Sequence, residues 1–108
     1  MKTGYSVLLT TAGSPDEAQA LGKGLVSQKL VACVQLLPIN SIYTWEANVE
    51  QESEVLMLLK TRHSLYDAIQ AYLLEHHSYD TPELIELDVK RGSAGYLGWI
   101  DEVTSEIS

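Results

Sequence analysis

From Ala32 to Thr61 the chain runs for thirty residues without a helical pattern. The run contains "VACVQLL", then "INSIYTWE", then the polar "ANVEQES", then "EVLMLLKT". Two strands of ~12 residues at ~3.4 Å per residue reach about 40 Å. A domain of about 100 residues has a radius of gyration near 13 Å. The stretch therefore predicts a β-hairpin that overhangs its own domain. Such a ribbon, with Ile42, Tyr43 and Trp45 on it, exposes strand edges and apolar area. Pairing with another chain is the natural remedy.

The segments on either side fit around that hairpin. "YSVLLTT" (5–11), bounded by Gly4 and Gly13, reads as a first strand buried on both faces. "SPDE" starts a helix: Ser14 is the N-cap, Pro15 takes the first helical position and Glu17 completes a capping box. Ala18, Leu21 and Leu25 line its apolar face, with Val26 beside it, and the helix should run to about Lys29. In the hairpin, Pro38 implies a bulge or an edge strand, and "ANVEQES" reads as a polar connection. "EVLMLLKT" is apolar on both parities: Val55, Met57 and Leu59 on one side, Leu56 and Leu58 on the other.

A second helix follows, with Ser64 as cap and Asp67 three residues on. Leu65, Ala68, Ile69, Tyr72 and Leu73 form its stripe, and it should fade near His76 or His77. After Pro82, "ELIELDV" alternates as a fourth strand. "RGSAGYLGWIDEV" reads as a final helix capped by Ser93, though Gly95 and Gly98 weaken it. The order β-α-β-β-α-β plus a terminal helix is that of an α+β, ferredoxin-like split-βαβ sandwich, read as one domain over residues 1–108. Its helices cover one face of the sheet. The second apolar parity of residues 55–59 then calls for a symmetric oligomer, or for the terminal helix folded over that face.

Composition narrows the function. Seven Lys and Arg face fifteen Asp and Glu, a formal net charge of −8. This argues against nucleic-acid binding, which rests on phosphate neutralisation. No apolar run approaches the roughly 20 residues that span a bilayer, and the N-terminal apolar stretch is short for a signal peptide. The expectation is a cytoplasmic protein with no membrane partner. One cysteine, Cys33, excludes an intrachain disulfide, and one Cys with three His cannot build the usual zinc cages unaided.

"EHHSYDTPEL" (75–84) places His76 beside His77. Adjacent helical residues point about 100° apart, and the i, i+4 metal spacing is missing. A helix C-terminus offers free carbonyls to histidine N–H donors. The pair therefore reads as capping and packing first, and as a metal seat second. His63 reads as an ordinary loop residue. Cys33 is inert packing or a thiol lining an intersubunit cavity. Lys60 ends an apolar strand on the parity of Leu56 and Leu58, and needs a partner if that face is covered. Glu83 and Glu86, both placed on the fourth strand, are its candidate partners, and Arg62 lies one period on. A cleft between subunits holding Lys60, Arg62, a carboxylate and Trp45 or Trp99 would suit a small anion or zwitterion. The plain alternative is a salt bridge at the subunit seam, with both tryptophans as core or interface anchors.

"LVACVQLLPINSIYTWE", "EVLMLLKT", "HHSYDTPELIELDV" and "YLGWI", in this order, resemble the CutA family of divalent-cation tolerance proteins over almost the whole chain. The resemblance implies a tight homotrimer with hairpins wrapping neighbours, a likeness to the PII signalling trimers, and no firmly attached enzymatic activity. It implies no obligatory cofactor, with a divalent cation such as Cu2+ as a candidate ligand. The copper-binding cysteine and histidine pair described for some members map near Thr10 and onto His76 and His77. The thiol is absent here, and a site for soft Cu(I) loses its best ligand by that change.

Overall fold

The computed structural model describes residues 3–105. Its elements follow the expected order: β1 (Tyr5–Ala12), α1 (Pro15–Ser27), β2 (Cys33–Trp45), β3 (Asn48–Arg62), a 3-10 turn at His63–Leu65, α2 (Tyr66–His76), β4 (Ile85–Asp88) and α3 (Ala94–Val103). The four strands form one antiparallel sheet in the order β2-β3-β1-β4, the ferredoxin-like arrangement.

The parity of β3 divides the sheet's two faces. Val55, Met57 and Leu59 are buried, together with Leu8 of β1, Leu21 and Leu25 of α1, and Ile69 and Leu73 of α2. This is the core under the two helices. Leu56, Leu58 and Lys60 point to the other face and stay half-buried. Their cross-strand partners, Thr11, Leu9 and Val7 on β1 and Leu37, Gln35 and Cys33 on β2, share that face. β1 is therefore buried on the helix side and only half-buried along most of the other, not on both faces as its sequence suggests. α3 lies on the open face, over the Lys60 end of β3, and leaves the rest uncovered: Leu37, Ile85 and Leu87 are 46, 50 and 47% exposed.

The hairpin is longer than its polar half suggested. "NVEQES" is not a connection but the first half of β3, paired rung by rung with β2 from Trp45↔Asn48 to Cys33↔Lys60. The turn is Glu46–Ala47 alone, both at positive φ (50° and 67°). A two-residue turn of this hand matches the right-handed strand twist. β1 pairs with β3 only from Val55 to Arg62. Residues 39–54 are thus a free two-stranded ribbon, and the chain is 46 Å long against widths of 28 and 22 Å. Pro38 sits in β2 without breaking the register, as an edge strand allows.

The helix ends also differ in detail. α1 stops at Ser27, with Gln28 as C-cap, two residues short of the expected Lys29. α2 starts at Tyr66 behind a 3-10 turn, and no side chain caps it, so the expected Ser64–Asp67 box does not form. Ser93 is the N-cap of α3, again without a side-chain bond.

Candidate binding shelf and the histidine clasp

At the lower end of the open face, Cys33 and Lys60 are direct cross-strand partners. Lys60 Nζ stands 5.7 Å from the centre of the Tyr96 ring, a cation–π contact. Tyr96 in turn tilts against Trp99, with 5.6 Å between centroids. The i, i+3 spacing of Tyr96 and Trp99 on α3 puts both rings beside one another. Among the described residues, the Lys60 ammonium makes no ion pair and its only partner is this ring. The result is a shallow shelf with one ammonium group, two aromatic rings and a free half-buried thiol.

Arg62 lies next to the shelf but is engaged elsewhere. Its Nε donates to Thr104 Oγ1 (2.9 Å) and its Nη2 to the Thr104 carbonyl (2.9 Å). Thr104 is the C-cap of α3, so Arg62 fastens the last turn of that helix to β3. Asp101 Oδ1 adds an ion pair at 3.9 Å. The Tyr5 hydroxyl donates to Asp101, and that bond, with desolvation and the carboxylate's charge, raises the phenol's pKa against the opposing pull of Arg62.

The remaining residues expected at the shelf are elsewhere in the chain. Trp45 stands at the ribbon tip, twelve rungs from Cys33 or about 40 Å away, and is 62% exposed. Only a neighbouring chain could bring it to a Lys60. Glu83 precedes β4 rather than lying on it, and its carbonyl accepts the Thr10 hydroxyl at 2.6 Å. Glu86 is on β4 but faces the helix side, opposite Leu8. There it accepts from Ser6 Oγ (2.6 Å) and meets His63 Nδ1 (2.7 Å), so it is not the partner of Lys60. His63 is correspondingly a hydrogen-bonding residue of the 3-10 turn rather than an idle loop residue.

His77 is the C-cap of α2, its amide donating to Leu73 O at 2.9 Å. Its ring is buried. Thr11 O can only accept, so His77 Nε2 carries the hydrogen of their 2.7 Å bond. Tyr79 N–H can only donate, so Nδ1 is the acceptor of their 3.0 Å bond. Both ring nitrogens are taken by backbone. His76 stacks on Tyr72 (4.0 Å, 19°), and its Nδ1 donates to Tyr72 O at 2.9 Å. The two rings thus serve different neighbours.

Beneath them, Glu17 does more than close its helix. Ser14 Oγ accepts from Glu17 N (3.1 Å), as the cap predicts. The Glu17 carboxylate crosses to the α2–β4 loop, taking the Ser78 amide (2.8 Å) and hydroxyl (2.9 Å). Tyr79 then extends to β3, where its hydroxyl donates to Glu54 Oε2 at 3.0 Å. Desolvation, followed by the Glu54 bond and nearby carboxylates, pushes this phenol up to about 12. A Cβ on Gly13 would sit 3.0 Å from the Tyr79 oxygen, so this corner needs a glycine for close approach. No sequence pattern announced the Glu17–Ser78 or Tyr79–Glu54 links.

These contacts test the metal seat implied by resemblance. Thr10 is buried with its hydroxyl on Glu83 O, His77 has no free lone pair, and only His76 Nε2 remains. Among the described residues no three of His, Cys, Asp and Glu gather at metal-binding distance. Within one chain, the residues present do not fit a metal ion at the histidine pair.

Residues 6–103 match the model of the CutA1 divalent ion tolerance protein family. A divalent-cation tolerance protein CutA from Pectobacterium atrosepticum is 45% identical over 96 residues, covering 88% of this chain and 87% of the relative. The chloroplastic CutA 1 of Oryza sativa is 39% identical over 101 residues. The chain spans 57% of that rice protein, and 59% and 58% of the mouse and human CutA proteins. The crystal structure of CutA1 from Oryza sativa superposes with a TM-score of 0.93 at 36% identity, covering 98% of each chain. CutA from Synechococcus elongatus gives 0.93 at 35% identity, covering 97% of this chain and 95% of that one. With the split-βαβ sheet, the overhanging ribbon and this match, the chain belongs to the CutA1 divalent ion tolerance family.

Proposed function

We propose that this protein is a non-enzymatic homotrimer acting in the response to, and tolerance of, divalent metal ions, as the names of its relatives describe for them. The observation that carries the assembly is the open face of the sheet. Leu37, Ile85 and Leu87 stand about half exposed there beside half-buried Leu56 and Leu58. α3 covers only one end of this surface, and a ribbon of residues 39–54 projects past it. Neighbouring copies would bury both. A divalent ion held at His76 would take its other ligands from a neighbouring chain, because His77 has no nitrogen to offer.

Sedimentation velocity on the full chain, together with calorimetry against Cu2+, Zn2+ and Cd2+, tests this reading. The expected result is a single trimeric species whose ion binding weakens in His76→Ala. A stable folded monomer at micromolar concentration would overturn the assembly. Absence of binding to all three ions would overturn the ion-handling role.

A second reading has its own observation. Lys60, with an aromatic ring as its only described partner, is a cation waiting for an anion. On that reading the Lys60–Tyr96–Trp99 shelf, completed by another chain, holds a small charged metabolite for a PII-like signalling or carrier role. Loss of anion-induced thermal stabilisation in Lys60→Ala would support it, and an unchanged response would remove it.

A further inference from the structure

The three histidines of this chain hold their rings in three different ways. His77 gives both nitrogens to backbone groups. His76 keeps Nε2 open, but its Nδ1 hydrogen goes to a neutral carbonyl, that of Tyr72. His63 alone has a carboxylate within hydrogen-bond reach, with Nδ1 2.7 Å from Glu86 Oε2. A carboxylate only accepts, so in the neutral ring the hydrogen sits on Nδ1 and the lone pair on Nε2. The same Oε2 accepts the Ser6 hydroxyl at 2.6 Å, and Ser6 is 1% exposed, so the carboxylate is fixed from the interior. The His63 side chain is 61% exposed, and its Nε2 has no hydrogen-bond partner among the described residues. Strand register gathers the three: Ser6 pairs with Thr61, two residues before His63, and Glu86 stands opposite Leu8, two residues after Ser6. The cluster lies on the helix side of the sheet, at the end of β3 away from the ribbon. It is therefore outside the face and the ribbon that neighbouring copies would cover.

We propose that His63 is a phosphoryl-accepting residue, modified at Nε2 by a small acyl phosphate, with Glu86 as its positioning residue. In this step the Nε2 lone pair forms a bond to phosphorus. The P–O bond to the acyl oxygen breaks, and its electron pair leaves with the carboxylate product. Nδ1 keeps its hydrogen, so the imidazole ring gains one positive charge as the N–P bond forms. That charge develops beside Glu86, where a fixed carboxylate stabilises it more than a neutral carbonyl does. A carboxylate behind an imidazole does the same in hydrolase triads, holding one tautomer and stabilising the imidazolium. A metal site wants three or four ligands, which no group of the described residues supplies, whereas a phosphorus electrophile needs one lone pair. Phosphoryl oxygens stay hydrated, so the group requires no cavity and suits an open position.

The test is incubation of the full chain with acetyl phosphate, followed by phosphorus NMR, intact mass and peptide mapping. The expected product carries one phosphoryl group, released in mild acid and retained in base as an N–P bond requires. It should form on His63 at least about ten-fold faster than on His76. Glu86→Gln, which keeps an acceptor for Nδ1 but removes the charge, should slow the reaction at least about ten-fold. Nitrogen NMR of neutral His63 should show the hydrogen on Nδ1. Glu86→Ala should abolish that preference while the amide spectrum keeps its dispersion, which a general loss of structure would not do. Four results would overturn the proposal: no phosphohistidine, equal or faster reaction at His76, an unchanged rate in Glu86→Gln, or a neutral His63 with its hydrogen on Nε2. Should the Glu86 variants fail to fold, the ratio of His63 to His76 in the native chain decides. Trimer formation and binding of Cu2+, Zn2+ or Cd2+ enter none of these outcomes.

Discussion

Glu17 and Ser78, 61 residues apart in sequence, are joined by two hydrogen bonds, from the Ser78 amide at 2.8 Å and its hydroxyl at 2.9 Å. One carboxylate thus ties the first turn of α1 to the loop that leaves α2. Burial opposes its ionised form, but the Ser78 bonds, the neighbouring His77 and the Gly13 amide outweigh that, and its pKa is lowered. A carboxylate lowered on folding stabilises the fold above its unfolded pKa, roughly 4.3. That contribution is lost as pH falls through the folded value. Urea unfolding between pH 3 and 7 should therefore show an acid limb that Glu17→Gln flattens. At pH 7, Glu17→Ala should cost about 1–3 kcal/mol, the range for removing a charged hydrogen-bond acceptor.

The phenol of Tyr79 works in the opposite pH range. Its pKa is raised to about 12 from an ordinary value near 10. The folded state holds the proton more tightly, so stability is complete below pH 10 and declines as pH rises towards 12. In Tyr79→Phe that decline should be shallower, measured by denaturant midpoints between pH 9 and 12. Gly13→Ala should displace the same ring, since its Cβ would stand 3.0 Å from the hydroxyl. Spectrophotometric titration should then show one tyrosine returning towards the ordinary range.

The two histidines should separate cleanly in stability. His77→Ala removes a buried ring and strands the Thr11 carbonyl and the Tyr79 amide. Its cost should be about 2–4 kcal/mol. His76→Ala loses an exposed stack on Tyr72 and should cost less than about 1 kcal/mol. Thermal and urea unfolding of both variants provides the measurement. Similar small losses would contradict the clasp assigned to His77.

Much of this fold was legible because periodicity reports which residues are buried. The alternation Val55–Leu59 marked both faces of β3 correctly, and "EHHSYDTPEL" was read as a helix stop before a strand, as it is. Asn48–Glu54 misled because it is a ribbon wet on both sides. Its ladder bonds form whatever the side chains, so no apolar alternation is required. The shelf was half legible. Strand parity put Lys60 on the face of Leu56 and Leu58, but Cys33 opposite it, Tyr96 over it, Arg62 on Thr104 and Glu86 turned towards Ser6 depend on strand register and on how α3 and β4 dock. The Glu17–Ser78 and Tyr79–Glu54 links join segments distant in sequence, and nothing local encodes such a partner. Trp45 and Lys60 of one chain stand twelve rungs of ladder apart, so the cleft expected between subunits would take its Trp45 from a neighbour.

The ribbon's turn should be improvable by one residue. Glu46 and Ala47 hold φ of 50° and 67°, in the left-handed region where a Cβ is disfavoured. Turns of this kind favour glycine at the second position. The relief is partly offset by the greater freedom of an unfolded glycine. Ala47→Gly should therefore stabilise the chain by about 0.5–1 kcal/mol. A domain of this size should show that as a rise of about 2–8 °C in the unfolding midpoint. Glu46→Gly, at the first of the two positions, should help less, because this turn favours glycine most strongly at its second position. If Ala47→Gly lowers the midpoint instead, the ribbon tip is held in its turn by contacts from outside the chain, and calorimetry at two protein concentrations would reveal them as a concentration-dependent shift.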